Sequence, residues 1–275
     1  MIIFIIVWAW LGFDTARNMT PRFREVMNTK ACLAALGLKK GLSAIAEAGF
    51  SEIVVWSGKH REYLGVVRLA AKFGLSVLAV ALPKLPAFSQ RATGLLSRWM
   101  SRMVSMRIPA VCLIFADSTD TPVTQNQRET LYRFLRSVDI PVLVENNGRQ
   151  SERFSDPREL AELLANVPSL RVVLDLGHLA SSGCLHRDLS MLCGKIALID
   201  VHDNNGFEDL HLPLGHGSGK GSFVVGLKRL QSLPGRIVIE TDARLGSDRS
   251  AWVESLRADR IQLANALSGR MDLRE

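Results

Sequence analysis

The sequence is poor in cysteine and in aromatic side chains: 4 of its 275 residues are Cys, and 7% are Phe, Trp or Tyr. No two cysteines form a CxxC pair, so there is no thiol framework for a metal or a redox couple. With Cys32 and Cys112 inside apolar runs, the four cysteines (the others are Cys184 and Cys193) read as reduced core thiols of a cytoplasmic protein. Long apolar runs are also lacking. The N-terminal stretch MIIFIIVWAWLGF falls short of the roughly 20 residues a membrane span needs. It has no basic residue ahead of it and no small-residue cleavage site behind it, which weakens a signal-peptide reading. Residues 1–26 are therefore read as an apolar extension, from a start codon placed too early, and 27–275 as the domain; a genuine extension would pack on that domain or on a membrane. No GxGxxG follows the first expected strand, which puts an open doubly wound sheet second among the candidate folds.

Positive charge is not lacking, at a formal net +7 and a pI near 9.5. It would suit phosphates or nucleic acid, but Arg98, Arg102, Arg107, Arg128, Arg133 and Arg136 are scattered, and solvated helix faces explain them better. The remainder, 47% hydrophobic, is the composition of a globular protein with a large aliphatic core.

From Ala31 onward apolar runs alternate with amphipathic segments. Strands are expected at Ala31–Leu36, Glu52–Trp56, Leu75–Leu82, Ala110–Phe115, Ile140–Glu145, Arg171–Asp175, Ile196–His202 and Arg236–Glu240. Helices are expected between them, among them Thr124–Val138 with Thr124 as N-cap, Pro157–Ala165 capped by Asp156, a short one near Leu185–Leu192, and a closing one at Ser250–Leu267. The strands are continuous aliphatic runs, as in sheets buried on both faces. Eight such units in a chain of this length predict a single (β/α)8 barrel, a fold of roughly 250 residues.

Four of these strands finish on a side chain that can bind a metal or carry a proton: Glu145, Asp175, His202 and Glu240. Barrels place their active sites at the C-terminal strand ends. A carboxylate after a strand is ordinarily a solvated loop residue or a cap. Three around one barrel mouth, however, would be costly to bury without a cation. The mostly oxygen set with one imidazole suits Mn²⁺, Mg²⁺ or Zn²⁺. His178 follows Asp175 closely, either as a ligand of a second metal or as a group that orients substrate. Asp203 is expected to orient His202, and His216 to lie on the surface. Asn146, Asn147 and Arg149 are near enough to contact sugar hydroxyls. The glycines around Gly217, Gly219 and Lys220 either let the loop turn into the next helix or cradle a phosphate.

LVENNG, VLDLGH, VHDNNG followed by DLHLPLGHGSG, and IVIETD resemble the successive strand-end motifs of the xylose isomerase-like barrel superfamily, which groups sugar isomerases and epimerases with apurinic-site nucleases of the endonuclease IV type. In layout the resemblance covers roughly residues 31–266, and its specific part is 140–242. It implies one divalent cation on Glu145, Asp175, His202 and Glu240. In the ketose epimerase branch, Glu145 and Glu240 would exchange protons with the carbon beside a metal-polarised carbonyl, with His178 on a substrate oxygen. The implied partner is a sugar or sugar phosphate, handled by a cytoplasmic enzyme of a superfamily whose members are often dimers or tetramers. Asp209 and His211 match the DxH element that supplies additional zinc ligands in the nuclease branch, so a zinc phosphodiesterase acting on abasic DNA is the alternative. The third and fourth strand ends carry no histidine, and His60 is the sole histidine of the first half, which argues against a full zinc cluster. A barrel that keeps its metal but has lost its chemistry is disfavoured because both glutamates are present.

Overall fold

The computed structural model describes residues 24–56, 60–86, 88–149, 152–217, 222–230, 235–242 and 245–270. Eight parallel strands close into a barrel in sequence order: β1 (Arg24–Asn28), β2 (Glu52–Trp56), β3 (Ser76–Ala81), β4 (Val111–Leu113), β5 (Val142–Glu145), β6 (Arg171–Asp175), β7 (Ile196–Val201) and β8 (Arg236–Ile239). β8 returns to β1 with Arg236 opposite Arg24 and Ile239 opposite Met27. The ring excludes an open doubly wound sheet, which would leave two edges. Helices outside it, among the described residues, are α1 (Lys30–Leu36), α2 (Leu38–Glu47), α3 (His60–Ala70), α4 (Gln90–Ser105), α5 (Gln125–Arg136), α6 (Pro157–Asn166), α7 (Leu176–Ser181), α8 (Ser222–Arg229) and α9 (Arg249–Leu267). None of them is long and apolar enough to cross a membrane.

The local signals act as their chemistry dictates. Thr124 caps α5 in a reciprocal capping box with Gln127. Asp156 caps α6, whose first residue is Pro157.

Two expected elements are corrected. Ala31–Leu36 is helical, within α1, and buries Cys32 and Leu36 one turn apart; its alanines and leucines favour a helix. The first strand is instead Arg24–Asn28, so the barrel begins three residues before the expected boundary at Met27. After β6 the helix is α7, immediately following the strand, and the expected segment near Leu185–Leu192 contains only a 3-10 turn at Ser190–Leu192. None of the four cysteines is in a disulfide, and Cys32, Cys112 and Cys184 are buried as expected, whereas Cys193 is exposed. Residues 1–23 lie outside the described residues.

Side chains alternate across each strand. The barrel interior is filled by small and medium side chains, among them Val54, Ala79, Ala110, Leu143, Val173 and Val238. The larger ones pack between strands and helices. Two residues further along the same inward rows come Asn28, Trp56, Glu145, Asp175 and Glu240, and, after Leu198 on β7, Asp200. The layer that closes the barrel mouth is thus neutral on the β1–β4 side and carboxylate-rich on the β5–β8 side.

Candidate metal centre

Glu145 and Asp175 come from adjacent strands joined by a double tie: Asn146 Nδ2 donates to the Asp175 carbonyl at 3.0 Å, and Asp175 N donates to Asn146 Oδ1 at 2.8 Å. Asp175 also caps α7 by accepting from His178 N at 2.9 Å, so a single turn places Asp175 and His178 together. His202 follows β7, with its ring laid over Gly177. A Cβ at Gly177 would stand 2.1 Å from His202 Cε1, so this glycine is required by close approach.

Beyond His202 the chain doubles back. Asp203 N and Leu212 N each donate to the other residue's carbonyl, at 3.0 and 2.7 Å. This fold-back carries Asp209 and His211 over the mouth. His211 adopts φ 50°, a left-handed conformation unusual for a side-chain-bearing residue, and is held there from β8. Its carbonyl accepts from Asp242 N at 2.6 Å, and its Nδ1 lies 3.1 Å from the Glu240 carbonyl.

The result is two touching clusters. Ligand-type atoms of Glu145, Asp175, Asp200 and Glu240 all lie within 4.8 Å of one another, and so do those of His178, His202, Asp209 and His211. Asp175 links them: Oδ1 is 3.1 Å from His202 Nε2 and Oδ2 is 3.4 Å from His178 Nδ1. Asp209 bridges the imidazoles, 3.2 Å from His178 Nε2 and 3.1 Å from His211 Nε2. Of the expected four, Glu145, Asp175 and Glu240 group with Asp200, whereas His202 groups with His178, Asp209 and His211 and meets the carboxylate group at Asp175.

Charge in this volume is unevenly held. Burial, reinforced by Glu240, pushes the Glu145 carboxyl up to about 8. Burial together with Glu145 and Glu240 drives Asp200 far above the usual carboxylate range. For Asp175 burial acts upward too, but the imidazoles of His178 and His202 outweigh it and hold the group at about 2. His211 moves up to about 9 because Glu240 and Asp209 overcome the effect of burial. The Asp175 Oδ2 and Asp200 Oδ1 atoms are buried and accept no hydrogen bond. Orphaned ligand atoms converging in a carboxylate-rich volume fit a divalent cation.

Other expected residues serve the scaffold. Asp203 meets His202 through its backbone carbonyl, 3.4 Å from Nδ1, while its carboxylate Oδ2 accepts from Gly215 N and Gly217 N at 3.0 and 3.1 Å and so ties down the loop. Gly217 is pressed against this anchor, since a Cβ there would lie 2.3 Å from the Asn204 carbonyl. That contact accounts for Gly217 without a phosphate, while Gly219 and Lys220 lie outside the described residues. Asn146 and Asn147 are fully buried; Asn147 Nδ2 donates to the Phe115 and Arg153 carbonyls at 2.6 and 2.7 Å. These bonds commit both asparagines to strand and loop positioning rather than to sugar hydroxyls. Arg149 and His216 are exposed. His60 opens α3. Asp200 was not among the expected residues, although its place two residues before His202 on one strand face was the signal for it.

No protein-family model matches the sequence, and no curated protein matches it. Solved structures do. A xylose isomerase domain containing protein from Salmonella typhimurium LT2 aligns at TM-score 0.69 and 14% identity, over 90% of this chain and 100% of that one. IolI protein with a bound zinc atom aligns at 0.67 and 15%, over 88% and 98%. AP endonuclease, family 2, from Brucella melitensis aligns at 0.61 and 16%, over 82% and 95%. At such identities the likeness is one of architecture, the closed eight-stranded parallel barrel that this chain forms.

Proposed function

We propose that the protein is a divalent-cation-dependent isomerase or epimerase of a sugar or sugar phosphate. The observation that carries this reading is that Glu145 and Glu240, from strands separated by β6 and β7, bring carboxylate oxygens within 4.8 Å of each other and of Asp175. Glu145, Asp175, His202 and Glu240 would hold the cation, which when bound supplies polarisation of the substrate's carbonyl and hydroxyl oxygens. Glu145 and Glu240 then have the work of proton transfer: one carboxylate takes a proton from the carbon beside the carbonyl, and the other returns one from the second side. His178 donates to a substrate oxygen, oriented by Asn146, whose carbonyl lies 2.8 Å from His178 Nδ1. The buried walls keep bulk water from protonating the carbanion-like state. That IolI, a barrel of the same architecture, was solved with a zinc atom supports a cation here.

A second reading, a zinc phosphodiesterase acting on abasic DNA, is favoured by one observation: three imidazoles and Asp209 gather in one cluster. Against it, the ends of β3 and β4 present Ala81-Leu82-Pro83 and Phe115-Ala116-Asp117, which offer no histidine for a further zinc.

One experiment separates the two. Bound ions are counted by elemental analysis of the purified protein, which is then incubated with a panel of ketoses, their phosphates and an abasic-site duplex. Interconversion of a sugar, lost on chelation and restored by Mn²⁺, supports the first reading. Several zincs with strand nicking and no sugar turnover replaces it with the second.

A further inference from the structure

Asp200 is a charged residue in the middle of an aliphatic strand, Ile196–Val201, and faces into the barrel between Leu198 below and His202 above. It is 3% exposed, and its register partner on β6 is Asp175. One of its oxygens, Oδ1, has no hydrogen-bond partner. Its nearest charged neighbours are three more carboxylates, with ligand oxygens all within 4.8 Å of one another. Among the described residues, no Lys or Arg pairs with any of the four; their ion-pair partners are imidazoles, and those lie on the upper side. An ionised carboxylate buried beside three others, with one oxygen unpartnered, is strongly unfavourable unless a cation or a shared proton joins it.

We propose that Asp200 is itself a cation ligand, so that the cation seats in the all-carboxylate pocket of Glu145, Asp175, Asp200 and Glu240, with His202 at its upper edge. Four carboxylates and no thiolate make a hard, oxygen-only floor. Such a floor favours Mn²⁺ or Mg²⁺ over Zn²⁺, for which imidazole is the better partner. Asp200 thereby sets which metal the centre prefers. This inference rests on the cation part of the proposed function and is independent of the sugar chemistry.

The test is calorimetric titration of metal-stripped wild type and Asp200→Asn with Mn²⁺ and, separately, Zn²⁺. The substitution is isosteric and removes one charged ligand, so Mn²⁺ binding is expected to weaken about 30-fold and Zn²⁺ binding by less than about 5-fold, within the span that metal-site substitutions produce. Unchanged or tighter Mn²⁺ binding would mean that Asp200 only shares a proton with its neighbours, and equal weakening of both ions would remove its role in selection; either overturns the proposal. Wild-type crystals soaked in MnCl2 give a reading that needs no variant. An anomalous peak within about 2.5 Å of an Asp200 oxygen supports the proposal, and a peak on His202 with Asp200 out of reach overturns it. Sugar turnover separates the two hypotheses: Mn²⁺ held by Asp200 without any sugar turned over sinks the isomerase reading alone, and turnover by a protein whose Mn²⁺ affinity ignores Asp200→Asn sinks this inference alone.

Discussion

Glu52 at the floor of the barrel and Glu145 at its mouth are both inward-facing, both buried at 6% and 5% exposure, and both ringed by neighbouring strands. Glu52 sits between two guanidinium groups. Arg236 meets it through two hydrogen bonds at 3.0 and 3.1 Å, and Arg24 stands 3.4 Å away. Glu145 has instead Asp175, Asp200 and Glu240 beside it, His178 at 3.5 Å, and the thiol of Cys112, which donates to Oε2 at 3.6 Å. The floor settles its buried charge with guanidinium groups, whereas the mouth sets carboxylate beside carboxylate with imidazoles as their ion-pair partners.

The largest expected difference is in activity. Glu145→Gln and Glu240→Gln should each lower turnover of the substrate found in the sugar panel by about 1,000-fold, in the range usual for loss of a general acid or base, with circular dichroism unchanged; full activity in either variant breaks the two-glutamate mechanism. Arg236→Ala attacks the floor. It strips Glu52 of its better partner and should lower unfolding free energy in urea by about 3 kcal/mol while leaving Mn²⁺ affinity as it was. A loss under about 1 kcal/mol would show that the exposed Arg24 is partner enough and erase the contrast.

pH sharpens the comparison next. The Glu145 carboxyl lies at about 8, above its ordinary 4.5, and His211 at about 9, above 6.5. In both cases the folded state binds protons more tightly than the unfolded one, so their stabilising contribution is present at low pH and is lost as pH rises, through 8 for Glu145 and through 9 for His211. The melting temperature of the metal-stripped protein should therefore fall between about pH 5 and 9. Added Mn²⁺ should restore it most at the alkaline end, because the cation competes with those protons. A Mn²⁺-induced shift that shrinks with rising pH contradicts this.

Asp259 is the intermediate case and the smallest effect. It is buried without a cation but is well bonded, accepting from Thr241 Oγ1 at 2.7 Å and Leu214 N at 2.8 Å, and burial lifts it to about 6. Its stabilising contribution is complete below its unfolded value of 3.8 and is lost as pH rises through 6. Asp259→Asn should flatten this segment of the stability profile at a cost of about 1 kcal/mol, measured by urea titration at pH 4, 5 and 6.

The barrel was legible because buried parallel strands are continuous aliphatic runs that punctuate a sequence. The strand-end positions of Glu145, Asp175, His202 and Glu240 followed from where those runs stop. The first strand was misplaced because ACLAAL is apolar throughout: short apolar runs look alike as strand or helix, and only the one-turn spacing of Cys32 and Leu36 marks the helix. REVMN, with charges at its outset, was masked by the apolar stretch ahead of it. Asp200 lies inside its strand rather than at the end, and a lone acid within IALIDV becomes informative only once register sets it opposite Asp175. The role of Asp203 was likewise invisible, since its partners, Gly215 N and Gly217 N, are backbone amides of the returning loop.

Closure of β8 onto β1 has a consequence for assembly. The pairing of Arg24 with Arg236 and of Met27 with Ile239 joins segments made early and late in synthesis, and contacts so distant along the chain form late. Glu240 directly follows β8, so the last carboxylate arrives only as the ring shuts. On the ribosome, the proposed cation site is therefore complete only when the polypeptide is nearly finished, and the nascent barrel reaches closure before that site exists.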